Sequence, residues 1–187
     1  MADDIDAALL GRADWLYLEG YLYDTAEAKA AFARAIRAVK AGGGRASLTV
    51  SDPFCVERHR ADFRRLLPEL DLLFANRAEL LSLYQTDDLD TALEAVSREV
   101  PLAAITLSGD GAVVVRGETR THVPATRTKV VDTTGAGDLF AAGFLAGLAR
   151  GADDTACARM GCAAAGEVIG HIGARPEADL AAIIAAA

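Results

Sequence analysis

The sequence predicts an α/β fold, a mostly parallel sheet covered on both faces by helices, with an antiparallel hairpin at one edge. Three observations predict it. Short apolar runs alternate with segments of helical period along most of the chain. Residues 112–116 and 119–123 read as two strands around Gly117-Glu118, the signature of a hairpin. Val130-Val131, then Asp132-Thr-Thr-Gly-Ala-Gly-Asp138, then the helical pattern from Leu139 to Leu145 reads as strand, glycine turn and helix N-terminus.

The elements follow in order. Trp15-Leu-Tyr-Leu18 is a short apolar run closed by Glu19-Gly20, a buried strand. Thr25 to Ala41 carries apolar residues at Ala28, Phe32, Ala35, Ile36 and Val39, and Gly42-Gly-Gly44 ends that helix. Ala46 to Val50 is the next strand, and Ser51-Asp52-Pro53 breaks it. A polar helix is expected from about Val56 to Leu67, and a strand at Leu70 to Ala75. Asn76 to Tyr84 and Thr91 to Val100 read as helices, and Leu102 to Leu107 as a strand. Further helices are expected from Gly135, near Asp153 and near Glu177. There is no internal repeat, low-complexity linker or composition break, so residues 1–187 are expected to form a single α/β domain.

The chain has 187 residues, 52% hydrophobic and 25% charged, enough for one globular core. A net charge of −8 and a pI near 4.9 argue against nucleic acid as a partner. Any phosphate recognition must then come from local N–H groups. Cys55, Cys157 and Cys162 are odd in number and lack CxxC spacing, which points away from a disulfide framework or zinc site. They read as small buried hydrophobes in a reducing cytosol, so a cytoplasmic protein is expected. His59, His122 and His171 lie far apart and read as surface or packing residues. The N-terminus lacks a signal-peptide pattern, and with no apolar run of about 18 residues no membrane span is expected.

The chemistry concentrates at Asp132–Asp138. A helix start offers unpaired backbone N–H groups and the positive end of the helix dipole, so it attracts an anion. Gly135 and Gly137 have no Cβ, so an oxyanion can approach the main chain. Asp138 falls in the first turn beside the same spot. N–H groups that stabilise a moving phosphoryl, next to a carboxylate that accepts a hydroxyl proton, suit phosphoryl transfer to an alcohol. The simpler reading is a tight turn with an acid placed favourably in the helix dipole. Asp132 reads locally as a turn residue bonding its own backbone.

Three further stretches carry two readings each. Asn76-Arg-Ala-Glu79 is an ordinary capping pair, and one Glu at that distance is also adequate for a hydrated Mg²⁺. Thr106-Leu-Ser-Gly-Asp-Gly111 is a strand-to-hairpin turn in which Gly109 and Gly111 are expected anyway. Gly161 to Pro176 is rich in small residues, which admit a flat ring or permit close helix packing.

Taken with both flanks, Asp132–Asp138 resembles the C-terminal signature of the PfkB family, the ribokinase-like sugar and nucleoside kinases. Asn76–Glu79 is similar to that family's NxxE motif and Thr106–Gly111 to its TxGxxG loop, in the family's order. Ser108 departs from the pattern, which has Gly there, and Ser tolerates positive φ poorly. The resemblance covers about Asp14 to Pro176. Ser51-Asp-Pro-Phe54 followed by Leu70–Asn76 looks most like the adenosine-kinase branch.

The resemblance implies a three-layer αβα ribokinase-like fold and transfer of the γ-phosphoryl of ATP to a hydroxyl of a sugar or nucleoside. It implies that Asp138 is the general base and that the N–H groups of Gly135, Ala136 and Gly137 form the anion hole. Asn76 and Glu79 would serve Mg²⁺ and phosphate through water. Thr106, Ser108, Gly109 and Gly111 would lie near the ATP phosphates and ribose, and Gly173 and Ala174 near the adenine. Asp132 would help hold a monovalent cation such as K⁺.

Members of that family carry a long N-terminal part with a Gly-Gly sugar-contacting motif and a β-sheet lid, and Met1 to Ala13 is too short to hold it. The chain is therefore expected to be the ATP-binding, catalytic C-terminal portion of such a kinase. An exposed sheet edge would favour a homo-oligomer. A nucleotide-binding module without turnover is the competing reading. A dinucleotide-binding protein fits poorly, because the glycines come late and only as GxG.

Overall fold

The computed structural model describes residues 4–187. It forms a mixed six-stranded sheet in the order β1-β2-β3-β4-β5-β6, flanked by helices in the three-layer α/β arrangement that the sequence predicts. The strands are β1 (Trp15–Glu19), β2 (Arg45–Thr49), β3 (Leu72–Asn76), β4 (Ala103–Thr106), β5 (Ala112–Arg116) and β6 (Thr119–Val123). β1 pairs with β2, and β2 with β3, in parallel, with Leu18 opposite Leu48 and Leu48 opposite Leu73. The two-residue Gly117-Glu118 turn joins β5 to β6 as the expected hairpin. Chain packing divides the molecule into two compact units. One reaches to Ala103 and includes Arg116–Glu118; the other comprises Ala104–Val115 and Thr119–Ala187.

The first unit contains α1 (Ala7–Leu10), α2 (Ala26–Ala41), α3 (Pro53–Leu66), α4 (Arg77–Tyr84) and α5 (Leu89–Ser97). α2 buries Phe32, Ala35, Ile36 and Val39, the stripe that its period predicts. Around Phe63, which is fully buried, Tyr23 stacks at 5.2 Å and His59 approaches edge-on at 5.9 Å. Truncating a buried Phe of this kind costs about 3–5 kcal/mol. His59 is a packing residue that also meets Asp24, with Nε2 2.7 Å from Oδ1.

Several boundaries differ from the sequence reading. α3 starts at Pro53 and not at Val56, because Asp52 caps it by accepting from the Cys55 N–H at 2.6 Å and Pro53 takes the first turn. The triplet that reads as a break is thus a helix start. α5 begins at Leu89 for the same reason, with Asp88 accepting from the Thr91 N–H. α1 was not anticipated.

The second unit contains α6 (Ala136–Ala149), α7 (Asp154–Val168) and α8 (Leu180–Ala186). α6 and α7 pack closely because glycines sit at their contact: a Cβ on Gly143 would stand 2.9 Å from the Gly161 Cα, and one on Gly161 2.8 Å from the Phe140 ring. At this position the helix-packing reading of the small residues holds. The sequence expects a strand at Val130-Val131, and there is none. The Val131 N–H donates instead to the Ile169 carbonyl at the end of α7 (2.8 Å), and both valines are half-exposed. β-branched residues suit a strand, but a strand needs a neighbour along its length, and here a helix end takes that bond. α8 begins at Leu180 behind an Asp179 cap, later than expected, because Glu167 accepts from the amides of Glu177 and Ala178.

All three cysteines are buried, as expected, none is in a disulfide among the described residues, and burial pushes the Cys55 and Cys162 thiols up to about 11. No helix among the described residues is long and apolar enough to cross a membrane.

Candidate active site

In the second unit the Asp132–Asp138 turn leads into α6 as the sequence predicts. Gly135 is the N-cap residue, in the left-handed region at φ 80°. A Cβ there would meet the Ala174 methyl at 2.9 Å, so both conformation and space demand glycine. The face of Gly137 is open, with nothing among the described residues within 4 Å of a Cβ position. That leaves room for a ligand to approach the main chain there. Asp138 lies exposed in the first turn of α6. The Ala136 N–H donates to the Thr133 carbonyl at 3.2 Å, so the turn occupies one of its own donors.

Asp132 does what its local reading requires and reaches further. Its Oδ1 accepts from the Thr134 N–H (2.9 Å) and hydroxyl (2.7 Å), and its Oδ2 accepts from the Gly173 N–H (2.9 Å). The Gly173 amide, then the Thr134 donors, hold its carboxyl down at about 2. The structure thus brings Asp132, Gly135, Gly173 and Ala174 together, although Gly173 is 41 residues beyond Asp132.

The loop after β4 has the expected glycine geometry. Gly111 has φ 95°, and a Cβ would stand 2.0 Å from the Val123 carbonyl oxygen. Ser108 adopts φ 54°, so it takes the left-handed conformation despite its side chain. Gly109 faces open space, and Thr106 ends β4.

In the first unit Asn76 and Glu79 form a complete capping box. Asn76 Oδ1 accepts from the Glu79 N–H (2.9 Å), and Glu79 Oε2 accepts from the Asn76 N–H (2.8 Å). Asn76 Nδ2 donates to Glu79 Oε1 at 2.5 Å. The Glu79 side chain is buried, at 5% exposure. Burial, helped by the Asp52 charge and opposed by the Asn76 N–H, raises its carboxyl to about 7. Each oxygen already accepts one bond and keeps capacity for another, which fits a hydrated cation held through water.

Sequence reasoning missed two partners in this unit. Tyr21 donates its hydroxyl to Asp52, which together with burial pushes the phenol up to about 12. The Tyr21 N–H donates to Ser51 Oγ at 3.1 Å. The Asp-Pro start of α3 is the signal that could have found Asp52. A second group missed in this way, Glu167 and His171 in the second unit, has no comparable local signal.

The described residues thus combine an α/β sheet with a glycine turn at the start of α6 and an exposed carboxylate in its first turn. The chain belongs to the pfkB family of carbohydrate kinases, whose family pattern matches residues 1–180. It is similar to the crystal structure of adenosine kinase from Sinorhizobium meliloti: TM-score 0.96, 46% identity, all of this chain and 58% of that one. It is 35% identical to an uncharacterized sugar kinase of Archaeoglobus fulgidus over 119 residues, 64% of this chain and 48% of that protein. It is 29% identical to adenosine kinase 1 of Arabidopsis thaliana over 182 residues, 89% of this chain and 52% of that protein. The chain spans about half the length of these curated relatives.

Proposed function

We propose that this chain is the nucleotide-binding, phosphoryl-transferring portion of a sugar or nucleoside kinase of the adenosine-kinase-like branch. The observation that carries the reading is the turn into α6: a left-handed Gly135, an open face at Gly137 and an exposed Asp138 in the first turn. Asp138 takes the proton of the acceptor hydroxyl. The first-turn amides at Gly135, Ala136 and Gly137 receive the γ-phosphoryl oxygens of ATP, with the Ala136 N–H exchanging its bond to Thr133 for one to the anion. Thr106, Ser108, Gly109 and Gly111 serve the phosphates and ribose, and Gly173 and Ala174 the adenine. Asn76 and Glu79 serve the water shell of Mg²⁺, which supplies charge neutralisation at the phosphates. Asp132 contributes to a site for a monovalent cation such as K⁺.

The half-length match to the relatives favours a second reading, a module that binds nucleotide but does not turn over, because acceptor contacts would lie elsewhere. Separate measurements of ATP binding and of adenosine- or sugar-dependent ADP release distinguish the two. Binding without release supports the module. Release supports the complete kinase. Neither binding nor release overturns both.

A further inference from the structure

The end of α7 carries a largely enclosed carboxylate with no part in the chemistry described so far. The Glu167 side chain is only 10% exposed. Its Oε1 accepts from the Glu177 N–H at 2.8 Å and the Ala178 N–H at 2.9 Å, and faces His171 Nε2 at 3.3 Å. Its Oε2 is buried with no hydrogen-bond partner among the described residues. A buried carboxylate with an unsatisfied oxygen is costly, and an apolar residue would end the helix at less expense. What the arrangement gains is a closed loop. Residues 171–178 leave the end of α7 and are tied back to it by one oxygen atom.

The far side of that loop meets the anion turn. Gly173 donates to Asp132 Oδ2, and Ala174 lies against Gly135 so closely that no Cβ fits between them. The loop therefore has two fixed points, Glu167 at its base and the Asp132–Gly135 turn at its tip. His171, close to both Glu167 and Glu177, adds a third tie at the base.

We infer that Glu167 is a positioning residue for nucleotide binding. By closing the loop before nucleotide arrives, it holds Gly173 and Ala174 in place as a wall for the base. The ordering of the loop is then not charged against binding. The inference rests on the assignment of this loop to the adenine in the proposed function. The Asp132–Asp138 turn keeps its own bonds through Thr134, so it does not depend on Glu167 for an anion.

The test compares two probes on the whole chain in the presence of Mg²⁺: the ATP analogue AMP-PNP, which needs the base wall, and tripolyphosphate, which does not. Glu167→Ala is expected to weaken AMP-PNP by about tenfold or more and tripolyphosphate by less than about twofold. Glu167→Gln keeps an acceptor for the two amides and is expected to restore most of the AMP-PNP affinity. In the wild type without nucleotide, the Glu177 and Ala178 amides are expected to be protected from hydrogen exchange. Unchanged AMP-PNP binding by Glu167→Ala overturns the inference, as does an equal loss of both probes. Should Glu167→Ala fail to fold, unprotected amides in the wild type overturn it and protected ones with Glu167→Gln binding AMP-PNP support it. A wild type that binds neither probe overturns the nucleotide reading and the inference with it, an outcome distinct from a failure of Glu167 alone.

Discussion

Gly135 and Ala174 touch so closely that a single added methyl on Gly135 would come within 2.9 Å of the Ala174 side chain and 3.0 Å of its Cα. This contact joins the anion turn to the loop after α7. It also separates the two glycines of the turn by purpose, since Gly135 is enclosed and Gly137 faces open space.

Gly135→Ala is therefore expected to destabilise the fold by about 1–3 kcal/mol, through a strained positive φ and the clash with Ala174. Gly137→Val is expected to leave the melting temperature nearly unchanged apart from a small helix-propensity cost, and to weaken nucleotide binding by filling the open face. Thermal melts of both variants beside AMP-PNP titrations check this. A Gly137→Val protein that melts far below wild type would make that glycine a packing residue.

Asp138→Asn is expected to lower kcat by a factor of about 100 or more, the scale of a lost general base, with ATP affinity little changed. The measurement requires turnover, so it is made on this chain or, where the chain alone shows none, on a fusion that carries the N-terminal part of a relative. Retention of more than about half the wild-type kcat removes Asp138 from the base role.

Glu79 makes stability depend on pH in a defined direction. Its folded pKa of about 7 lies above the ordinary 4.5, so the folded state binds its proton more tightly than the unfolded state does. The stabilising contribution is complete below about 4.5 and is lost as pH rises through about 7. The loss is on the order of 3 kcal/mol. Glu79→Gln has no proton to lose, so its stability relative to wild type is expected to improve across that window. Denaturant melts at several pH values read it, and parallel curves for the two proteins would refute the buried-carboxyl account.

The same substitution tests the cation role. Glu79→Gln is expected to raise the Mg²⁺ concentration needed for half-maximal rate, while its carbonyl oxygen preserves the cap on α4. A Mg²⁺ titration left unchanged, with only stability altered, assigns Glu79 to capping alone.

β1 ends the sheet order, and Tyr17 on it is 36% exposed, with Tyr21, Leu22 and Phe54 exposed nearby in the same unit. An edge strand beside apolar surface favours pairing with another chain. We expect the 187-residue chain to associate in solution and Tyr17→Lys to shift it toward monomer. Sedimentation velocity decides it, and a wild-type monomer at all concentrations would count against the edge.

The sequence by itself determined what is local. Helix starts at Thr25, Asn76 and Asp153 were readable because the capping bonds span three residues. The same holds for the α2 stripe, the Gly117-Glu118 hairpin and the glycine turn before α6. Cap chemistry at Asp52 and Asp88 was equally local; the α3 start was misplaced because Ser51-Asp52-Pro53 was read as a break, and the α5 start because the Asp88 cap was overlooked.

Tertiary structure decided the rest. Nothing near Asp132 in the chain announces the Gly173 amide 41 residues away. The pattern Asn76–Glu79 gives a capping box but not the burial that raises Glu79, which depends on what packs around it. Val130-Val131 has strand composition and no strand, because pairing needs a neighbour that only the fold supplies. Glu167 reads as an ordinary helical acid until the chain returns at Glu177 and Ala178 and places two amides on its oxygen. Short-range hydrogen bonds are fixed by residue spacing, while burial and long-range contacts exist only after the chain has closed on itself.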